Sequence, residues 1–262
     1  MQQNTFGFIG SGRVSYLLLN GLQRQSALPQ KVMVSDPDEN ALKKVTGLAP
    51  ERIQAVSENR VAAAADVVFL AVHPPVLTNV AAEIKEAVKP TAIVISFLPT
   101  ITLARLTDFL GGFSRIARMI PNAPSIIGKG YNPICFAGSL SEKDRAFLQV
   151  LFEHWGKSHE VPEEHLEAYA IITGMGPTYF WFQWLELQRL AQQFGLPEQQ
   201  SKYAITEMLK GAVDTLYHSG LAADQVLDLI PSYPLKKNEE EIRRIFSDRL
   251  MGLWEKLRKA TH

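Results

Sequence analysis

The sequence predicts an α/β protein, with a doubly wound parallel sheet in its N-terminal part and an all-helical C-terminal part. Three observations predict this. From Phe6 to about residue 120, short apolar runs alternate with stretches of helical spacing, the signature of right-handed β–α–β units. Two of the runs, "DVVFLAV" at 66–72 and "TAIVISF" at 91–97, are almost continuously apolar, as strands buried on both faces are. From Glu163 onward no strand pattern remains.

In order along the chain, "FGFI" reads as a first strand and 14–22 as a helix. "VMV" is a second strand, and "SDPDEN" turns into a helix from about Asp38 to Val45. "RIQAV" is a third strand and "ENRVAAAA" a short helix. After "DVVFLAV", Pro74 and Pro75 open a helix over 74–88, since proline fits a first turn. "TAIVISF" follows, then the helix "TLARLTDFL", closed by Gly111-Gly112, then the strand "SRIARMI", stopped by "PNAP". The texture changes near Val161, so the expected domains are 1–160 and 161–262. In the second, "HLEAYAIIT", 177–195, 197–220 and 240–260 read as helices. The helix at 177–195 is apolar on most sides and needs cover from a larger core or from a second chain.

The bulk numbers are those of an ordinary globular chain. There are 262 residues, 46% of them apolar and 21% charged, with a net charge of zero. That balance gives no reason to expect a nucleic-acid or membrane-surface partner. Cys135 is the sole cysteine, so no intrachain disulfide forms, and a reducing compartment fits. "MQQNTFGFIG" lacks the basic segment of a signal peptide, and no apolar run is long enough to span a bilayer. The expectation is a soluble, cytoplasmic protein. No His/Cys cluster has metal-ligand spacing, so no metal is expected.

The glycines after the first strand point to a ligand. Gly10-Ser11-Gly12-Arg13-Val14-Ser15 fits G-x-G-x-x-small between strand and helix. Gly10 permits the tight turn, Gly12 lets a pyrophosphate approach the backbone, and small Ser15 lets the helix pack on the sheet. The helix N-terminus offers free N–H groups to the phosphates. Asp36 ends the second strand, 26 positions after Gly10, where a ribose-binding carboxylate belongs. There it would bond a ribose 2′-hydroxyl and repel a 2′-phosphate, favouring NADH over NADPH. The other reading of Asp36 is a helix cap.

The stretches "FGFIGSGRVSYLLLNGL", "ADVVFLAVHPPVL", "AIVISFLPTITLARL", "IARMIPNAPSIIGKG" and "EAYAIITGMGPTYFWF" resemble, in order and spacing, the pyrroline-5-carboxylate reductases. The resemblance covers nearly the whole chain. It implies a Rossmann-type domain, a helical domain that interlocks with a second subunit, and NAD(P)H-dependent reduction of a cyclic imine carboxylate to proline. Five departures are visible. The family's Lys-Pro is His73-Pro74, its Ala-Gly is Leu98-Pro99, and its Met-Pro-Asn-Thr-Pro is Ile120-Pro121-Asn122-Ala123-Pro124. Its Gly-Ser-Gly-Pro is Gly174-Met175-Gly176-Pro177, and its Thr-Ser-Pro-Gly-Gly-Thr-Thr substrate loop is replaced by "IPSYPLKKN" at 230–238. Only Ser232 matches that loop, with Lys236 and Lys237 behind it. A related substrate is therefore as open as pyrroline-5-carboxylate. A β-hydroxyacid or prephenate-type dehydrogenase and a nucleotide-binding regulatory paralogue with little turnover are the alternatives.

The chemistry needs a placed nicotinamide, a proton donor and donors for a carboxylate. The expected cofactor contacts are Gly10, Ser11, Gly12, Arg13, Val14 and Asp36, then Ala71, Val72, His73 and Pro74 at the end of the fourth strand, and Asn122. The expected catalytic residues are His73, since histidine is the side chain whose unperturbed charge change falls near neutrality, Asn122 and Thr173. His73 also reads as a residue that caps the strand end or lines the crevice without chemistry, and Asn122 as a turn residue. Gly174, Met175, Gly176, Ser232 and Lys236 are expected at the substrate, although Gly-Met-Gly-Pro also reads as a helix start and "KKNEEE" as a solvated one. The cofactor is NAD or NADP, the partner a small-molecule substrate, and the assembly a homodimer or higher homo-oligomer.

Overall fold

The structure is a computed structural model and describes residues 4–261. It begins with β1 (Phe6–Ile9), α1 (Arg13–Arg24), β2 (Val32–Ser35), α2 (Glu39–Thr46), β3 (Ile53–Ala55) and α3 (Asn59–Ala63). The alternation continues through β4 (Val67–Leu70), α4 (Leu77–Ile84), β5 (Ile93–Ser96), α5 (Leu103–Phe109) and β6 (Ile116–Met119). Then come β7 (Gly130–Tyr131), β8 (Ile134–Phe136), α6 (Glu142–Glu153) and β9 (Gly156–Lys157).

The main sheet has the order β3-β2-β1-β4-β5-β6-β8. All pairs up to β6 are parallel, and β8 runs antiparallel to β6. The sequence reading left β7, β8, α6 and β9 unassigned. β7 and β9 are two residues each and pair with each other, too short for any periodicity to register. The chain crosses over between β1 and β4, and a crevice opens there at the carboxyl ends of the strands.

The period of two explains the continuous apolar runs. Phe6, Phe8, Val67, Phe69, Ile93 and Ile95 face one core, with Leu18, Leu19 and Leu22 of α1 and with Trp155. Ile9, Val68, Leu70 and Val94 face the other, with Ala62, Leu77, Val80 and Ile84. Phe69 stacks on Phe8 with ring centroids 4.2 Å apart, and Trp155 Nε1 donates to the Leu18 carbonyl at 2.8 Å.

Two local expectations are adjusted. The cap of α2 is Asp38, whose Oδ1 accepts the N–H groups of Asn40 and Ala41, so Asp36 is free of that duty. The helix expected at 74–88 is a 3₁₀ turn over Pro74–Val76 followed by α4.

The described residues up to Met175, with the chain end from Leu253, form one compact unit, and Gly176–Gly252 form the second. The division therefore falls later than the expected 160/161. The 3₁₀ turn Glu163–His165, α7 (Leu166–Tyr169) and a π-helical turn (Ala170–Gly174) belong with the sheet because Leu166 and Ala170 are buried against Ile120 and Cys135. The second unit holds α8 (Pro177–Gln193), α9 (Glu198–His218), α10 (Ala223–Leu227) and the start of α11 (Glu239–Thr261). No residue of α8 is buried; Phe182 is 66% exposed and Leu185 67%. No helix among the described residues is long and apolar enough to cross a membrane.

Candidate dinucleotide site

The loop between β1 and α1 is built for close backbone approach. Gly10 has φ +97°, and a Cβ there would stand 2.5 Å from the Ala71 carbonyl oxygen, so both conformation and space require glycine. Around Gly12 a Cβ would meet nothing within 4 Å. That empty volume lies at the N-terminus of α1, which has no side-chain cap and no acid in its first turn. Ser15 is buried and its Oγ donates to the Gly10 carbonyl at 2.6 Å, tying helix to turn. Ser11 Oγ is buried with no hydrogen-bond partner. An orphaned hydroxyl beside an uncapped helix start is a fit for a phosphate group.

Asp36 closes the other side of the loop. Its Oδ2 accepts the Ser11 N–H at 2.6 Å and its Oδ1 the Asp38 N–H at 2.8 Å. Two charge-assisted bonds hold the carboxylate at the end of β2. A cavity of about 920 Å³ opens here, large enough for a nucleotide, and Gly10, Gly12, Asp36, Ala71, Val72 and His73 are all in its wall. The structure thus brings together six of the expected cofactor residues, from three strand ends. Ser11, Arg13, Val14 and Pro74 adjoin that wall in sequence. His73 is exposed, at the start of the 3₁₀ turn, with no side-chain cap bond.

The wall also holds residues the sequence reading missed. Glu58, Asn59 and Arg60 follow β3, and Asn79 and Glu83 lie on α4. Asn59 Oδ1 accepts from Ser35 Oγ at 2.8 Å, and its Nδ2 donates to Glu83 Oε2 at 2.6 Å. Arg60 pairs with Glu58. The signal for Glu58 and Asn59 was the strand order, since β3 lies beside β2 and its carboxyl end must flank Asp36. Nothing in the sequence pointed to α4.

Asn122 lies outside that wall. Its Oδ1 accepts the Tyr131 N–H at 3.1 Å, its Nδ2 donates to the Thr173 carbonyl at 3.3 Å, and its own N–H donates to Asn132 Oδ1. Both ends of the amide are engaged in bracing the loop after β6, the turn-residue geometry rather than an open hand toward a ligand. Thr173 Oγ1 donates to the Tyr169 carbonyl at 2.9 Å, within the π-helical turn. Nearby, burial and the neighbouring Tyr169 push the Tyr131 pKa up. Gly174 and Met175 belong to the first unit; Gly176, Ser232 and Lys236 belong to the second, where Ser232 and Lys236 are exposed. Among the described residues no cluster of His, Cys, Asp and Glu has the makings of a metal site.

A buried ion cluster also escaped the sequence reading. Arg118, in the middle of β6, is 1% exposed. It donates through Nη1 to Glu163 Oε1 at 2.7 Å and through Nη2 to Glu167 Oε1 at 2.8 Å, while its Nε has no partner. Removing one partner from such a cluster costs about 3–5 kcal/mol. The signal available was a lone arginine inside "IARM", a strand otherwise apolar. Cys135, opposite Arg118 in β8, is buried, and burial pushes its thiol up to about 12, so it is inert as a nucleophile.

Known proteins are similar to this chain in sequence and fold. The family model described as NADP oxidoreductase, coenzyme F420-dependent, matches residues 5–100. A pyrroline-5-carboxylate reductase of Haemophilus influenzae is 27% identical over 215 residues, 81% of this chain and 78% of that protein. The Escherichia coli one is 28% identical over 232 residues, 86% of this chain and 85% of that protein. Among solved structures, Plasmodium falciparum pyrroline carboxylate reductase with NADP bound superposes with a TM-score of 0.85 at 21% identity over the full length of both chains. Prephenate dehydrogenase from A. aeolicus reaches 0.56 at 14% identity, over 99% of this chain and 88% of that one. By family model, relatives and fold, the chain is similar to the pyrroline-5-carboxylate reductases.

Proposed function

We propose that the protein reduces a cyclic imine carboxylate, pyrroline-5-carboxylate or a close relative, with NADH preferred over NADPH. The observation that carries the cofactor half is the Asp36 carboxylate, pinned by the Ser11 N–H in the wall of the cavity. Glu58 and Glu83 stand in the same wall, and its one arginine, Arg60, is already paired with Glu58. Three carboxylates against one guanidinium oppose the extra charge of a 2′-phosphate and suit a 2′-hydroxyl.

In this reading the Gly10–Gly12 turn and the start of α1 hold the pyrophosphate, with Ser11 Oγ free to donate to it. Asp36 accepts from the adenosine ribose. When bound, the nicotinamide supplies the hydride. His73 is the candidate proton source, at a strand end in the cavity wall. Asn122 and Thr173 act as braces of the adjoining loop. The substrate carboxylate falls to Lys236 and Lys237, because Pro234 has no N–H to donate and "IPSYPLKKN" has no glycine. The working form is a homodimer through the second unit, where Phe194 is 79% exposed, Tyr203 71% and Tyr217 73%. A cytoplasmic setting belongs to the same reading, on the single buried thiol.

The second reading is a nucleotide-binding paralogue with little turnover. Tyr233 Oη donates to Glu239 Oε2 at 2.7 Å, and Arg243 Nε donates to Glu239 Oε1 at 2.7 Å, so the segment that replaces the glycine loop is tied to the start of α11 rather than open. The test is NADH oxidation with pyrroline-5-carboxylate beside a panel of keto acids. Turnover of the imine alone supports the first reading, turnover of a keto acid a dehydrogenase, and cofactor binding without turnover the paralogue.

A further inference from the structure

Thr100 sits in the turn between β5 and α5 with φ +68°. A β-branched residue in the left-handed region is a genuine outlier, and such strain persists only where surrounding contacts over-determine it. Here they do. The Thr100 N–H donates to Glu167 Oε1 at 3.1 Å, the oxygen that also accepts from Arg118 Nη2. Arg118 Nη2 lies 3.4 Å from the Leu98 carbonyl, and Glu163 Oε1 accepts the Leu103 N–H at 2.6 Å. One buried guanidinium and two carboxylates therefore pin the turn at Leu98, Thr100 and Leu103.

The position of the turn gives the clamp a purpose. The wall of the cavity on the β1–β3 side, with Asp36, Glu58 and Asn59, would take the adenosine. A dinucleotide that crosses the switch point must lay its other half over the carboxyl ends of β4 and β5. The β5–α5 turn begins at that end. A buried ion cluster is poor evidence of added stability, and this one leaves Arg118 Nε unpaired. Strain and an orphaned donor together are what a positioning device costs.

We propose that Glu167, together with Arg118, is a positioning residue that holds the β5–α5 turn in its strained form and so fixes the surface on which the nicotinamide half of the cofactor rests. The proposal rests on the dinucleotide reading above. It gives Thr100 a specific role, since glycine there would adopt the same φ without strain and make the clamp dispensable.

The experiment compares two ligands, NADH and ADP-ribose, in the full chain, by titration calorimetry. ADP-ribose contacts the adenosine side and lacks the nicotinamide. The native protein is expected to bind NADH the more tightly. Glu167→Gln is expected to keep its ADP-ribose affinity and to lose about tenfold or more for NADH, the effect of one charge-assisted bond. Adding Thr100→Gly to Glu167→Gln is expected to restore the native ratio of the two Kd values. An unchanged ratio in Glu167→Gln, no recovery in the double variant, or a native ratio near one overturns the proposal. So does a Glu167→Gln protein that fails to fold and that Thr100→Gly does not rescue, whereas rescue to the native ratio supports it. Native protein that binds neither ligand overturns the dinucleotide reading itself.

Discussion

The Ser11 N–H donates to Asp36 Oδ2 at 2.6 Å, so the carboxylate at the end of β2 hangs from the loop that would receive the phosphates. Loop and carboxylate are one rigid unit, and a 2′-phosphate meets the charge without the option of moving it aside. NADH is expected to bind about tenfold more tightly than NADPH, a difference of roughly 1.4 kcal/mol. Asp36→Ser is expected to bring the two within about threefold. Fluorescence titration measures both; equal affinities in the native protein would take the ribose role away from Asp36.

The two loop glycines are expected to separate folding from binding. Gly10→Ala places a Cβ against the Ala71 carbonyl at a positive φ, and a loss of about 1–3 kcal/mol is expected in urea unfolding. Gly12→Ala meets nothing within 4 Å and is expected to unfold like the native protein while binding NADH more weakly. A Gly12→Ala protein with native affinity would mean that no phosphate approaches there.

Activity on pyrroline-5-carboxylate is expected to be weak and to depend on lysine. Two lost charge-assisted bonds, at about 1.5–3 kcal/mol each, put kcat/KM about 10²–10⁴-fold below that of a reductase with the glycine loop. Lys236→Ala with Lys237→Ala is expected to lower it about tenfold further. Ordinary turnover that survives the double change would show that "IPSYPLKKN" does not stand over the substrate.

A dimer is expected at micromolar concentration. Leu185 is 67% exposed and Phe182 66%, on a helix with no buried residue. Leu185→Glu with Phe182→Glu is expected to shift light scattering toward monomer. A native protein that scatters as a monomer contradicts the reading.

Asp144 supplies a pH test. Burial raises its pKa, but hydrogen bonds from Ser141 and the Arg115 guanidinium outweigh that and hold it below the usual value. A depressed folded pKa stabilises the protein above the unfolded value, and the contribution disappears as pH falls through the folded one. Asp144→Asn is therefore expected to cost about 1 kcal/mol at pH 7, through the capping box of α6, and almost nothing in strong acid. Equal losses at both pH values would mean the charge is idle.

Much of this protein was determined by the sequence alone, wherever the physics is local. Phe6 to Ile9, the Gly-Ser-Gly turn and the start of α1 are set by residues within a few positions of one another, and so they were legible, down to the wall that includes Gly10, Gly12 and Asp36. Asp36 was legible as a position but not as a bond, because its donor, Ser11, is 25 residues away and meets it only when β1 and β2 pair. The unit boundary moved for the same reason. The segment after Glu163 has helical spacing, yet Leu166 and Ala170 complete a core made by Ile120 and Cys135. Asn122 kept its turn and lost its open hand, since Tyr131 and Thr173 claim the amide only in three dimensions. The Arg118–Glu163–Glu167 cluster is decided by tertiary structure altogether. Three charged residues, 45 and 49 positions apart from the arginine outward, are harmless in water, and only burial makes their pairing obligatory.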